Sequence, residues 1–188
     1  MTRVWLVRHG ETDWNRAGRW QGHTDILLND TGREQARAVV ARLRALKVAR
    51  VTSSDLRRAR ETAEILASAL PATLTEFDAD LRERSYGVFE GLTRDECAAR
   101  YPEIWNEHVN GNFVDVPGAE PREQVMTRLV RGVTRVVETH GEIAIVSHGG
   151  AIRAFLEVAC GQRIPPVPNL AIFELEWADG RFVRPRMR

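Results

Sequence analysis

Cysteine is scarce in this chain. Cys97 and Cys160 are the only two in 188 residues, and no metal-type spacing joins them. The pair suggests a reducing compartment, and Cys160, inside an apolar helical pattern, reads as a small buried hydrophobe. Lysine is scarcer still: Lys47 is the only one, and the other basic residues are arginine. For most of them the plain reading is a compositional habit of the genome. Net charge is +1, so no global field favours nucleic acid or an acidic membrane surface. No run approaches the length of a membrane span, and the N-terminus enters a strand without a charged leader and apolar stretch. The expectation is a cytoplasmic protein with neither nucleic acid nor membrane as partner. No repeat, low-complexity tract or Gly/Ser linker divides the sequence, so residues 1–188 are expected to form one domain.

What is present is an alternation of strand and helix signals. A strand is predicted over Arg3–Val7, followed by a loop rich in Gly, Asn and Asp that runs to Asp30. Thr31 and Glu34 have capping-box spacing before a helix with Ala36, Val39, Val40, Leu43 and Leu46 on one face. A second strand ends near Thr52. The next helix starts near Leu56 with Ser54 or Asp55 as cap, buries Ala59, Ala63, Leu66 and Leu70, and stops at Pro71. Thr73–Phe77 reads as a short strand. Arg94–Tyr101 and Glu103–Val109 read as short helices broken by Pro102 and Gly111. Pro121 suits the first turn of a helix carrying Val125, Leu129, Val133, Val136 and Val137. Ile143–Val146 is the next strand, and the helix after it ends at Gly161. Asp179-Gly180 turns a strand holding Ile172, Phe173, Leu175 and Trp177 into a hairpin. This order predicts an α/β protein, a three-layer α/β/α sandwich on a mostly parallel sheet, with Asp78–Gly118 inserted over the carboxyl edge as a lid. Ile172 and its strand neighbours offer a face on which a homodimer could pair.

Chemistry-bearing residues collect at the predicted strand ends. Arg8-His9-Gly10 follows one apolar run and Ser147-His148-Gly149-Gly150 another. Ligands bind at the carboxyl ends of such strands. His9 is the candidate nucleophile, provided that one ring nitrogen is fixed by a hydrogen bond. Arg8 offers a planar fork to phosphate oxygens. Arg58 falls in the first turn of a helix, where the dipole favours an anion, while Arg57 and Arg60 read as its solvated face. His148 would stabilise charge on the equatorial oxygens of a transferring phosphoryl group. A carboxyl group must protonate the leaving oxygen, and spacing alone leaves Glu83 and Glu90 both open.

These residues resemble a known family. Arg8-His9-Gly10-Glu11-Thr12, Gln21-Gly22, Leu28-Asn29, Ser54-Asp55-Leu56-Arg57-Arg58-Ala59, Leu81-Arg82-Glu83 with Tyr86-Gly87 and Glu90-Gly91, and Ser147-His148-Gly149-Gly150 stand in the order of the histidine phosphatase superfamily, phosphoglycerate mutase-like branch. The resemblance implies that His9 becomes phosphorylated, that Arg8, Arg58 and His148 complete the phosphate pocket, and that Glu83 is the acid and later the base. It places Asn15, Gln21 and Gly22 on the substrate side and Gly149 on the pocket floor, with Arg84 as a further substrate contact. Pro117-Gly118-Ala119-Glu120-Pro121 departs from the family's Pro-Gly-Gly-Glu-Ser loop.

The implied substrate is a small-molecule phosphomonoester, hydrolysed without metal or cofactor. The alternatives are a cofactor-dependent phosphoglycerate mutase and a phospho-ligand-binding module without turnover. A mutase needs extra cations in its lid, whereas Asp95, Glu96, Glu103, Glu107, Asp115 and Glu120 outnumber Arg94, Arg100 and Arg122 there. With Tyr101, Trp105 and Phe113 this predicts a neutral or partly apolar leaving group, unless the acids face solvent and the aromatics form a lid core. Short length and Gly150 after His148-Gly149, where the mutases of the family tend to carry Asn, also favour the phosphatase.

Overall fold

Each apolar strand run is buried on both faces, and that organises the molecule. The computed structural model describes residues 2–110, 116–138, 141–161 and 163–187. Gly111, Phe113 and Asp115, discussed above, lie outside the described residues. Strand β1 (Thr2–Arg8) runs between β4 (Glu142–Ser147) and β5 (Ile172–Ala178). With β2 (Arg50–Ser54), β3 (Thr73–Asp78) and β6 (Arg181–Met187) they form a six-stranded sheet in the order β3-β2-β4-β1-β5-β6. The first four in that order are parallel, while β5 and β6 pair antiparallel.

Side chains alternate across the sheet with period two. Val4, Leu6, Ile143 and Ile145 face a core built with α7 (Arg122–Val137) and α8 (Gly149–Cys160). Trp5, Val7, Ala144 and Val146 face the other core, built with α3 (Val40–Ala45) and α4 (Arg57–Ala69). Helices on both faces explain why the strands read as continuous apolar runs. The remaining helices are α1 (Asp13–Arg16), α2 (Asp30–Ala38), α5 (Arg94–Arg100) and α6 (Pro102–Val109). Between β3 and α7, Phe89, Leu92, Cys97 and Val116 form a third, small core with Trp20, Tyr101 and Trp105 packed on it.

Five local expectations are corrected. The cap of α2 is Asn29, whose Oδ1 accepts from Gly32 N at 2.8 Å, while Thr31 lies inside the helix. The predicted single helix breaks at Val39, and this keeps Ala36, Val40 and Leu43 all in contact with the core. Neither Ser54 nor Asp55 caps α4; the carboxylate of Asp25, from the preceding long loop, accepts from Arg57 N at 2.7 Å. Cys160 is only half-buried at the end of α8, and Cys97 is the enclosed thiol. Ile172, expected on an exposed face, is 0% exposed and packs with Trp5 and Val7 in the core on that side of the sheet.

The α2 terminus is pressed against the segment that leaves β1. A Cβ built on Gly32 would sit 2.1 Å from the Glu11 carbonyl oxygen. Gly32→Ala is therefore expected to cost about 1–3 kcal/mol as an overpacking substitution, read as a lowered urea midpoint with an unchanged slope.

Candidate active site

The register of two neighbouring strands brings the histidines together. Arg8 pairs with Ser147 at the ends of β1 and β4, and His9 N donates to Ser147 O at 2.9 Å. His9 and His148 follow at the same edge, with ring centroids 5.2 Å apart. Arg58, in the first turn of α4, is 1% exposed and reaches the same point. Its Nε donates to His148 Nδ1 at 3.2 Å, and its terminal nitrogens donate to the carbonyls of Gly22 at 2.8 Å and Thr24 at 3.0 Å. Arg57 and Arg60 are exposed, as expected of the other face.

The hydrogen bonds fix two different tautomers. His9 Nδ1 lies 2.7 Å from Gly10 O, and a carbonyl only accepts, so Nδ1 carries the proton and Nε2 keeps its lone pair. His148 Nδ1 accepts from Arg58, so its proton sits on Nε2, which is buried with no hydrogen-bond partner among the described residues. Arg8 Nε is buried and unpartnered in the same way, while Arg8 donates through its terminal nitrogen to Val167 O. One lone pair and two unpartnered donors thus lie on residues gathered at one sheet edge, where the His9 and His148 rings are 5.2 Å apart. Burial, then Arg58 and the neighbouring charges, holds both histidines well below the ordinary imidazole pKa, so both rings are neutral at pH 7. Burial also lowers Arg58, to about 10, which leaves it cationic.

The two carboxylates left open by spacing separate clearly. Glu90 accepts from Thr24, His23, Tyr86 and Ser85 and is saturated. Burial works to raise its pKa, but those hydrogen bonds outweigh it and hold the group below the usual value. Glu83 lines the same cavity of about 320 Å³ as Arg8, His9 and Arg58. It is oriented by the backbone N–H of Gly150 at 2.8 Å and of Arg84 at 2.9 Å. A Cβ on Gly150 would meet Glu83 Oε1 at 2.6 Å and the Tyr86 hydroxyl at 2.7 Å, so a side chain here would displace one of them.

Of the other expected residues, Asn15, Gln21, Gly22 and Gly149 line this cavity. Gln21 Oε1 is buried and unpartnered among the described residues, and Asn15 Oδ1 is used in capping α1 with Thr12. Arg84 does not line this cavity: it lines the adjoining chamber and donates to Glu120 O at 2.8 Å. His148 lies beneath the surface at 0% exposure. Of the acids counted above, the described ones line neither space; Glu96 pairs with Arg19, Glu120 with Arg128, and Asp95, Glu103 and Glu107 are exposed. The lid acids therefore do not set the charge of the adjoining space, whose walls combine arginines with the apolar side chains of Trp20, Val125, Ala154 and Ile164. Among the described residues no group of three or more His, Cys, Asp or Glu is placed to hold a metal ion.

Sequence reasoning missed the residue that anchors Glu83. All five N–H groups of Arg128, on α7, are engaged. They reach the carbonyls of Asp80 at 3.0 Å, Arg82 at 2.7 Å and Glu83 at 2.8 Å, and both oxygens of Glu120 at 2.6 and 2.7 Å. The Arg128 and Glu120 side chains are only 12% and 14% exposed.

A profile of the histidine phosphatase superfamily (branch 1) matches residues 4–187. The chain belongs to that superfamily. Among its relatives, the uncharacterized phosphatase PhoE of Bacillus subtilis is 39% identical, covering 97% of this chain and 92% of that protein. The metal-independent phosphoserine phosphatase of Arabidopsis thaliana is 37% identical, covering 97% and 79%. Among solved structures, the mycobacterial glucosyl-3-phosphoglycerate phosphatase with VO3 superposes with a TM-score of 0.85 at 28% identity, covering 100% of this chain and 97% of that one. As in these superfamily structures, helices cover a central mixed sheet. Among the described residues no helix is long and apolar enough to cross a membrane.

Two outcomes follow from the site's construction. Arg128→Met should lose about 1–3 kcal/mol of unfolding free energy, because it leaves the partly buried Glu120 carboxylate without its bidentate partner; the double variant with Glu120→Gln should recover part of that loss. The histidines set a pH dependence. Their folded pKa values lie below the unfolded value near 6.5, so the unfolded chain takes up protons first as pH falls. Stability present above about pH 6.5 is then lost below it, by up to about 1.4 kcal/mol per pH unit for each ring. Thermal unfolding between pH 7 and 5 should show a smaller drop in His9→Asn than in the wild type.

Proposed function

We propose that this protein is a metal-independent phosphomonoester hydrolase acting on a small-molecule phosphate through phosphorylated His9. The observation that carries the reading is the tautomer pair: a lone pair on His9 Nε2 beside a buried N–H on His148 Nε2. His9 attacks phosphorus in line, forming the N–P bond as the ester P–O bond breaks. Glu83 gives its proton to the departing oxygen. Arg8, Arg58 and the His148 N–H hold the equatorial oxygens, placing fixed positive charge where it develops. Asn15, Gln21, Gly22 and Gly149 would line the substrate's path. In the second half-reaction Glu83 takes a proton from water, the new O–P bond forms, the N–P bond breaks and phosphate leaves. Relatives bearing phosphatase names support hydrolysis. The scarcity of cysteine supports a cytoplasmic setting.

Phosphoglycerate mutase is the second reading. The Arabidopsis phosphoglycerate mutase-like protein 4 is 38% identical over 93% of this chain. Arginines, not the lid acids, line the space beside the phosphate pocket, so lid charge no longer argues against it.

Hydrolysis of p-nitrophenyl phosphate in EDTA is the test. His9→Ala should lose at least about 10³-fold in kcat. Glu83→Gln should slow alkyl phosphates by about 10²-fold or more but nitrophenyl phosphate far less, because nitrophenolate leaves without a proton. EDTA-sensitive turnover, or full activity in His9→Ala, would sink the proposal. Turnover that appears only as phosphoryl exchange with a bisphosphate primer would select the mutase.

A further inference from the structure

The phosphate cavity opens into a second chamber of about 610 Å³, and Trp20, Tyr86, Gly150 and Arg153 line both. The chamber walls carry four arginines, Arg84, Arg122, Arg153 and Arg163, against one carboxylate, Glu157. Glu157 is shared by Arg122 at 2.9 Å and Arg163 at 3.2 Å. Arg84 and Arg153 have no carboxylate partner among the described residues. Each donates through Nε to a main-chain carbonyl, that of Glu120 at 2.8 Å and that of Ile164 at 3.2 Å. The remaining walls are apolar or aromatic, with Trp20, Val125, Ala154 and Ile164. Two guanidinium groups from different elements, Arg84 half-buried and Arg153 exposed at the rim, therefore border one space with no carboxylate partner among the described residues.

We infer that this chamber receives the leaving group, and that the leaving group carries a carboxylate on an apolar or ring-bearing body. The inference rests on the phosphatase reading above. A guanidinium fork matches a carboxylate in charge and geometry. The phosphoryl end surrounds one group with Arg8, Arg58 and His148, whereas the chamber has two unpaired cations and apolar walls, which suits a monoanion better than a second phosphate. Its volume of about 610 Å³ leaves room for an acid larger than a three-carbon one. Arg84 and Arg153 are the specificity-determining residues. Arg153 stands four positions after Gly149 on α8, so it lies one helical turn beyond the phosphate floor.

Matched substrates test this: 4-carboxyphenyl phosphate and its methyl ester, with p-nitrophenyl phosphate as reference. The ester has the better leaving group on electronic grounds, so preference for the acid reports the chamber. The wild type should favour the acid by about tenfold in kcat/KM. Arg84→Met and Arg153→Met should each shrink that ratio toward one through KM for the acid, and Arg153→Lys should keep most of it. Equal handling of acid and ester by a wild type that turns over the reference overturns the inference, as does a ratio unchanged in both Met variants. If no compound is turned over, the phosphatase reading itself has failed. Calorimetry then decides the chamber: tighter binding of the acid than of the ester supports it, and equal binding overturns it.

Discussion

A buried cation sets the terms for everything around it. Arg58 is held where water does not reach, and it stays charged. Its donors must find acceptors, and it finds them in two loop carbonyls and in His148 Nδ1. The third of these bonds has a chemical consequence, because an imidazole whose Nδ1 accepts must carry its proton on Nε2. The long loop before α2 is shaped by the same need. Gly22 and Thr24 turn their carbonyls inward to Arg58, and one residue further on Asp25 caps the helix that bears it.

The surroundings divide into parts that attract an anion and parts that hold the attractors still. Arg8, Arg58 and the orphaned N–H groups crowd positive charge into one place, an arrangement unfavourable in the absence of a counter-ion. The rest is rigid support: the β1–β4 register, Thr62 accepting from Gly10 N at 3.1 Å, and Asn169 donating to His9 O at 2.9 Å. Arg128 and Glu120 do the same for Glu83 through its main chain, leaving the Glu83 carboxylate facing the cavity.

Much of this was legible in the sequence, for a physical reason. A strand buried on both faces must be apolar throughout, so the abrupt arrival of Arg8-His9-Gly10 and Ser147-His148-Gly149 marks the sheet edge without ambiguity. Arg58 could be singled out because only one of three neighbouring arginines can face inward at a helix start. The choice between Glu83 and Glu90 was not legible in their spacing and came only from the family resemblance. Both lie on one irregular loop, and only their hydrogen-bond partners tell them apart. The cap of α4 failed because it is tertiary, Asp25 being distant in sequence from the helix it caps, whereas the cap of α2 was local and was misplaced by two residues, from Asn29 to Thr31. The lid acids misled because counting charge in a segment says nothing about which way each side chain points. Arg153 left a usable signal, its helical spacing from Gly149. Arg128 left a fainter one, a cation three positions after Val125 beside an apolar stripe.

Trp20 belongs to two neighbourhoods at once. Its ring packs edge-on against Tyr86, Trp105 and His108 in the small lid core, and it also forms part of the wall of both cavities. Its indole N–H is buried and unpartnered among the described residues. An indole in that position has an emission sensitive to the polarity and charge of whatever enters beside it. The molecule therefore carries its own optical probe at the junction of the two chambers, and occupancy of either can be followed by fluorescence without a label or a turnover signal.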